Sequence, residues 1–326
     1  MRAIFLATSA LLIAACDTGN DLEKVEIDMT PVEYEVEQPS GTLTLADIAD
    51  PVLSVETVRP ELDVFFGPGG NIGVLYGVNG VLLVDDKFEA NADEILARVA
   101  AREGTARGFP GATPTYVLNT HYHGDHSGSN AAMKAAGATI VAHEETLDLM
   151  SRNIENQLFG RTVEARDPAD LPDRALDTDT ELNFAGQTTR IIHLPAAHTS
   201  GDLMIHFTGS DVIHMGDTFF NGMNPYIDID AGGSLQGVID AQKTGVDTAS
   251  EATVIIPGHG PLTDRAGLLA SHDQLVQIRD LMQARIDAGD TLDEVLAADI
   301  YNGIGVDDGF IDNANLARIA YRSLTE

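Results

Sequence analysis

One heptad, Thr120-His121-Tyr122-His123-Gly124-Asp125-His126, constrains this chain more than any other segment. Four metal-competent side chains stand within six positions of it, directly after Thr115–Leu118, whose apolar and β-branched run predicts a buried strand. In extended backbone alternate side chains share a face, so His121 and His123 can hold one metal ion together. Gly124 permits a sharp turn that aims Asp125 and His126 at a neighbouring position. Neutral imidazole and carboxylate, in four- or five-coordinate geometry, suit Zn2+. Two metals need more ligands, and the chain offers three. His198 lies in Pro195-Ala196-Ala197-His198-Thr199-Ser200-Gly201-Asp202, Asp217 in His214-Met215-Gly216-Asp217-Thr218, and His259 in Ile256-Pro257-Gly258-His259-Gly260. Each stands near the end of an expected strand with glycine close by, where side chains can converge on one rim.

His-x-His-x-Asp-His followed in order by His, Gly-Asp and Gly-His-Gly resembles the metallo-β-lactamase superfamily over about residues 60 to 265. The Asn71-to-Asp85 hairpin with Val-Leu-Leu-Val-Asp is similar to the start of that fold. The resemblance implies a four-layer αββα sandwich, a mixed α/β (α+β) fold, and a site with two Zn2+. It implies that His121, His123 and His198 hold the first ion, that Asp125, His126 and His259 hold the second, and that Asp217 bridges them. Asp85 and Thr120 are the candidates for fixing the loop and the ligand tautomers. Zinc lowers the pKa of a bound water toward about 7 and polarises a carbonyl, and Asp125 is the catalytic candidate for orienting that water or moving its proton.

The remaining pattern agrees with two sheets face to face. Strands are expected at Leu53–Val58, Leu62–Phe66, Ile72–Val78, Val81–Val84, Thr139–Ala142, Thr188–Leu194, Leu203–Phe207, Val212–Met215 and Val254–Ile256. Helices are expected at Asn91–Arg102, Asn130–Ala136, Ser234–Val246, Arg265–Ala288 and Ala314–Ser323. Asn153 to Asp177, rich in Asp, Arg and Pro, reads as an insertion or long loop. Residues 46–326 read as a single catalytic domain. Ahead of it, residues 1–15 read as an export signal: Met1-Arg2, an apolar run, then Ile13-Ala14-Ala15 before the single cysteine, Cys16. Ile-Ala-Ala-Cys resembles the bacterial lipobox, which implies a lipidated Cys16, an acidic tether over 16–45 and a periplasmic, membrane-anchored protein. With 51 Asp plus Glu against 19 Lys plus Arg, the net charge of −32 disfavours nucleic acid and anionic lipid as partners. The expected partner is a small-molecule substrate. Membrane contact is expected only through the lipid on Cys16, and no protein partner is expected.

The substrate is less constrained than the chemistry. Phe65 and Phe66 can form an apolar flap over the metals or pack in the core. Tyr122, Asn221, Asn224 and Tyr226 are candidate substrate contacts, with ordinary loop structure as the alternative. His143, His193, His206, His214 and His272 fall outside the matching motifs and are expected to be structural. True β-lactamases generally lack the bridging aspartate, and Phe220 stands where one of their subgroups has a carboxylate-binding lysine. With four lysines in the chain an anion anchor is not obvious, although Arg161 in the long loop could substitute. These readings favour hydrolysis of a lactone, ester, thioester or amide with weak or absent β-lactamase activity. The alternatives are a genuine β-lactamase, an iron-dependent sulfur dioxygenase, and a non-catalytic metal-binding protein on the same fold.

Overall fold

In the computed structural model the strand Gly80–Val84 buries both of its faces: Val81 and Leu83 point to one side, Leu82 and Val84 to the other. A strand apolar on both faces needs a layer above and a layer below, and the rest of the chain supplies them. The structure describes residues 30–32, 44–78, 80–102, 113–306 and 309–326. The expected leader 1–15 and Cys16 lie outside the described residues, as does most of the expected tether 16–45.

In chain order the strands are β1 (Ser54–Arg59), β2 (Leu62–Phe66), β3 (Ile72–Gly77), β4 (Gly80–Val84), β5 (Pro114–Leu118), β6 (Thr139–His143), β7 (Ile154–Asn156), β8 (Arg161–Val163), β9 (Arg174–Leu176), β10 (Thr180–Phe184), β11 (Gln187–Leu194), β12 (Asp202–Phe207), β13 (Val212–His214), β14 (Val254–Ile256) and β15 (Thr263–Asp264). The α-helices are α1 (Ala92–Ala101), α2 (Gly124–Ser127), α3 (Asn130–Ala135), α4 (Glu144–Met150), α5 (Leu235–Thr248), α6 (Arg265–Asp287), α7 (Leu292–Ala298) and α8 (Asn313–Thr325). Side-chain caps start the later helices: Ser234 accepts from Gly237, Asp264 from Gly267, and Asp312 from Asn315. Among the described residues no helix is long and apolar enough to cross a membrane.

One sheet has the order β1-β2-β3-β4-β5-β6-β9 and the other β10-β11-β12-β13-β14-β15. Leu62, Leu82, Val84 and Leu118 of the first meet Ile191, Ile205, Phe207 and Val212 of the second in a dry inner layer. On the outer face of the first sheet Val74, Leu83 and Ile140 pack on Ile95 and Val99 of α1 and Met133 of α3. On the outer face of the second, Met204, Ile213 and Ile255 pack on α5, α6 and α8. This is the four-layer αββα sandwich.

Three differences from the sequence reading matter for the site. Residues 153–177 are not a featureless loop. They form the β7–β8 hairpin, then a 3-10 turn at Pro168–Asp170, then β9, which joins the first sheet parallel to β6. Three-residue strands are too short to show a period of two. The helices α4 and α7 and the edge strand β10 also went unread. The sharp turn expected at Gly124 is made by a short helix. His123 is extended (ψ 146°) and Gly124 opens the short helix α2, so Asp125 and His126 occupy a helical turn.

Candidate metal centre

Parallel pairing brings the carboxyl ends of β4, β5, β13 and β14 to one edge of the sandwich. Asp85 follows β4, His121 follows β5, Asp217 follows β13 and His259 follows β14, so four separate strand ends deliver polar side chains to one crevice. His198 arrives from the turn after β11.

The candidate ligands form two groups. Donor atoms of His121, His123, His198 and Asp217 lie within 4.8 Å of one another, as do those of Asp125, His126 and His259. In the first group His123 Nδ1 is 3.0 Å from His121 Nε2 and 2.9 Å from His198 Nε2. In the second, His126 Nε2 is 3.2 Å from His259 Nε2. Asp217 stands between the groups. Its Oδ2 is 3.7 Å from both His121 Nε2 and His198 Nε2, and its Oδ1 is 3.0 Å from His126 Nε2 and 3.4 Å from His259 Nε2. The seat of Asp217 requires Gly258, where a Cβ would fall 2.0 Å from Oδ1. Gly70 similarly leaves room for the His126 ring, which a Cβ would meet at 2.1 Å.

Hydrogen bonds behind the rings set their tautomers. His198 Nδ1 lies 2.7 Å from the Tyr226 carbonyl, so it carries the proton and Nε2 presents a lone pair. His126 Nδ1 donates to Asp85 Oδ2 at 2.7 Å, with the same result. Thr120 gives its only hydroxyl proton to Asp85 Oδ2 at 2.8 Å, so its oxygen accepts from His121 Nδ1 at 3.0 Å. His123 is turned the other way: Nε2 donates to Asp228 Oδ2 at 3.0 Å and leaves Nδ1 free. Four imidazole lone pairs are therefore aimed inward, and buried Asp217 Oδ1 receives no hydrogen bond. Lone pairs and a carboxylate facing one another about 3 Å apart repel unless a proton or a metal ion sits among them. The residues present fit metal ions.

The electrostatics differ between the groups. Burial pushes His121 well below the ordinary imidazole range and His198 down to about 4. Burial also opposes charge on His126 and His259, but nearby carboxylates outweigh it. Asp217, Asp125 and Asp85 raise His126 well above its ordinary value, and Asp217 and Asp125 raise His259 to about 9. Burial would raise the Asp217 carboxyl, yet His126, His259 and His121 hold it well below the usual carboxylate range.

The crevice opens into a cavity of about 810 Å³. Tyr122 and Tyr226 line it, with Tyr122 donating to Asp228 Oδ2 at 2.7 Å and the Tyr226 ring stacked on His123. Phe65 and Phe66 do not reach it. Phe65 is 1% exposed in the outer core layer and Phe66 packs against the inner one, because successive residues of β2 face opposite sides of the sheet. Asn221 is off the cavity too: its amide donates to the Pro261 carbonyl, bracing the His259 loop. Asn224 touches the cavity, but its amide donates to Val306 and Ile311 and holds the loop that carries Phe310.

Two working residues escaped the sequence reading. Asp228 orients both Tyr122 and His123, and only its place eleven residues after Asp217 of the Gly-Asp motif hints at it. Asn71 donates to the carbonyls of Pro257 and Gly260, and its backbone N–H to Gly258, tying the His259 loop to the first sheet. His214, a structural histidine as expected, donates to the Asn71 carbonyl at 3.0 Å.

The family profile of the Metallo-beta-lactamase superfamily matches residues 66–259, and the chain belongs to that superfamily. The probable metallo-hydrolase YqgX of Bacillus subtilis is 28% identical over 168 residues, which cover 50% of this chain and 75% of that protein. A hydroxyacylglutathione hydrolase of Gloeobacter violaceus is 32% identical over 106 residues, which cover 32% of this chain and 35% of that protein. Among solved structures, a metallo-beta-lactamase from Pontibacter korlensis superposes with a TM-score of 0.56 at 18% identity, covering 68% of this chain and 98% of that one. That last likeness is one of fold. Taken with the ligand groups, these relatives make the protein a hydrolase of this superfamily with a metal-binding His/Asp centre.

Proposed function

We propose that the protein is a two-zinc hydrolase that cleaves carbonyl compounds such as esters, lactones, thioesters or amides. The observation that carries this reading is the tautomer chain: separate hydrogen bonds turn four imidazole lone pairs toward two adjacent positions that share Asp217. His121, His123 and His198 would hold one ion, Asp125, His126 and His259 the other, and Asp217 both. When bound, the two ions would supply an activated water and a Lewis acid for the carbonyl. Asp125 also lines the cavity, where its carboxylate is placed to orient that water and take up its proton. Tyr122, held by Asp228, keeps bulk water from the floor beneath His123. Asp85 keeps His126 and, through Thr120, His121 in the ligating tautomer.

The reading expects β-lactam turnover to be weak or absent, on the strength of Asp217, which would bridge the two ions. A genuine β-lactamase is favoured by one observation, because the cavity wall holds the cations that the lysine count had argued against: Arg161 and Arg166 both line it. The test is elemental analysis after zinc loading, followed by a panel of lactone, ester, thioester, penicillin and carbapenem substrates. Two zinc ions with ester or thioester turnover support the proposal. A kcat/KM of about 10⁴ M⁻¹s⁻¹ or more on the β-lactams favours the second reading, and one ion or none overturns both. We also propose export and lipid attachment at Cys16, which the mass of the mature N-terminus from membranes would test.

A further inference from the structure

The β7–β8 hairpin and the segment after it form one wall of the cavity over the metal centre. This wall carries two arginines in an unusual state. Among the described residues ten of the thirteen arginines give their guanidinium to a carboxylate, a carbonyl or an amide oxygen. Arg161, Arg166 and Arg174 form no such hydrogen bond or ion pair, and the first two line the cavity. In a chain with 51 acidic and 19 basic residues, carboxylates are the easiest partners to find. Two guanidiniums on the same wall nonetheless have neither a hydrogen-bond acceptor nor an ion-pair partner among the described residues.

Their placement brackets the site. The Arg166 Nη2 atom stands 2.8 Å from the point a Cβ on Gly124 would occupy, so the guanidinium covers the backbone between His123 and Asp125. Its own backbone N–H is tied to the Met150 carbonyl, which fixes the segment that presents it. The Arg161 guanidinium lies 5.7 Å above the Phe159 ring. Beside it Phe159, Phe310 and Tyr226 make an aromatic patch with ring centroids 5.4 to 6.2 Å apart. Phe310 is 69% exposed there, at the cavity mouth. Glu164 and Asp167 share the wall, so its net charge does not suit a dianion, whereas planar guanidiniums match a single carboxylate.

We infer that Arg161 and Arg166 bind a carboxylate of the substrate, and that the preferred substrates are anionic acyl compounds whose carboxylate is separated by an apolar spacer from the bond that is cut. This inference rests on the hydrolytic reading above. It is tested with the zinc-loaded full chain on a matched pair, mono(4-nitrophenyl) glutarate and 4-nitrophenyl butyrate. The glutarate should be preferred, chiefly through KM. R161Q, R166Q and the double variant should lower the glutarate-to-butyrate ratio of kcat/KM, by about tenfold to a hundredfold for the pair of substitutions. An unchanged ratio in variants that melt at the wild-type temperature would overturn the inference.

Calorimetric binding of 4-phenylbutyrate and 4-phenylbutyramide is the second readout. The double variant should lose the carboxylate's advantage over the amide. A carboxylate whose affinity ignores both arginines is bound by the metals alone, which overturns the anchor. If neither ester is hydrolysed, the hydrolytic reading fails while this binding comparison still decides the anchor. Arg161 is exposed, so R161Q keeps the test available if Arg166 proves necessary for folding.

Discussion

The two ligand groups of the metal centre sit side by side and treat protons in opposite ways. In the first, His121 and His198 are fully buried, and burial keeps both imidazoles neutral, His198 with a pKa near 4. Their lone pairs are available at any ordinary pH, aimed by the Tyr226 carbonyl and the Thr120 hydroxyl. In the second, His126 and His259 face Asp85, Asp125 and Asp217, and the carboxylates outweigh burial and draw protons onto the rings. The first group calls for a cation because nitrogens crowd together, the second because carboxylates do. It follows that ions in the second group compete with protons and ions in the first barely do.

Removing Asp217 should blur this contrast most, because that carboxylate serves both groups. Asp217→Ala is expected to lose the second zinc, with an affinity drop beyond the roughly 10–100-fold typical of deleting a partner behind a ligand. Elemental analysis after dialysis checks it, and a variant that keeps two zincs and full turnover would show that Asp217 does not bridge.

Acidity should separate the groups without a mutation. In the chelated protein His126 and His259 have folded-state pKa values above the ordinary imidazole value of about 6.5. The contribution of His259 is therefore fully present below about 6.5 and lost as pH rises through about 9, and that of His126 is lost in the same direction as its own raised pKa is passed. Zinc must displace those protons, so its affinity for the second group should rise by up to about tenfold per pH unit for each proton displaced over the same window. Melting temperatures measured from pH 6.5 to 9, with zinc and with chelator, should move in opposite directions. Parallel curves would refute the assignment.

Asp228→Asn acts on the first group alone. An amide can present its N–H to His123 Nε2 and so favour the wrong tautomer, and first-site affinity should fall by about 10–100-fold with the second site intact. Sequential zinc titration distinguishes the sites. The smallest effect is expected for Asn71→Ala, which removes two hydrogen bonds to the loop of His259 and should cost about 1–3 kcal/mol in chemical denaturation. A larger loss of zinc than of stability would place Asn71 nearer the chemistry.

The strands that build the sandwich were legible because apolar and β-branched residues recur in runs bounded by turn residues. Leu62–Phe66 and Val254–Ile256 fall where the pattern places them, and α1, α3, α5, α6 and α8 differ by a few residues at their ends. Short elements in polar sequence, such as β7, β8 and β9, give no such repeat. The seven candidate ligands stood out as a set, since metal-competent side chains next to glycine at strand ends are rare by chance. Asp228 and Asn71 did not, since each is an ordinary polar residue until the fold sets it behind a ligand.

By itself, then, the sequence determined the class of fold and the presence of a metal-binding His/Asp centre, for reasons that are local: periodic burial selects strands and helices, and clustered imidazoles and carboxylates mark a metal site. Tertiary structure alone decided which nitrogen of each histidine faces inward, which group gathers protons, and where the unpaired arginines stand. Most of those properties depend on contacts between residues distant along the chain, such as His126 with Asp85, 41 positions apart, or Asn71 with Gly260, 189 apart, and no pattern along the chain records a distance in space.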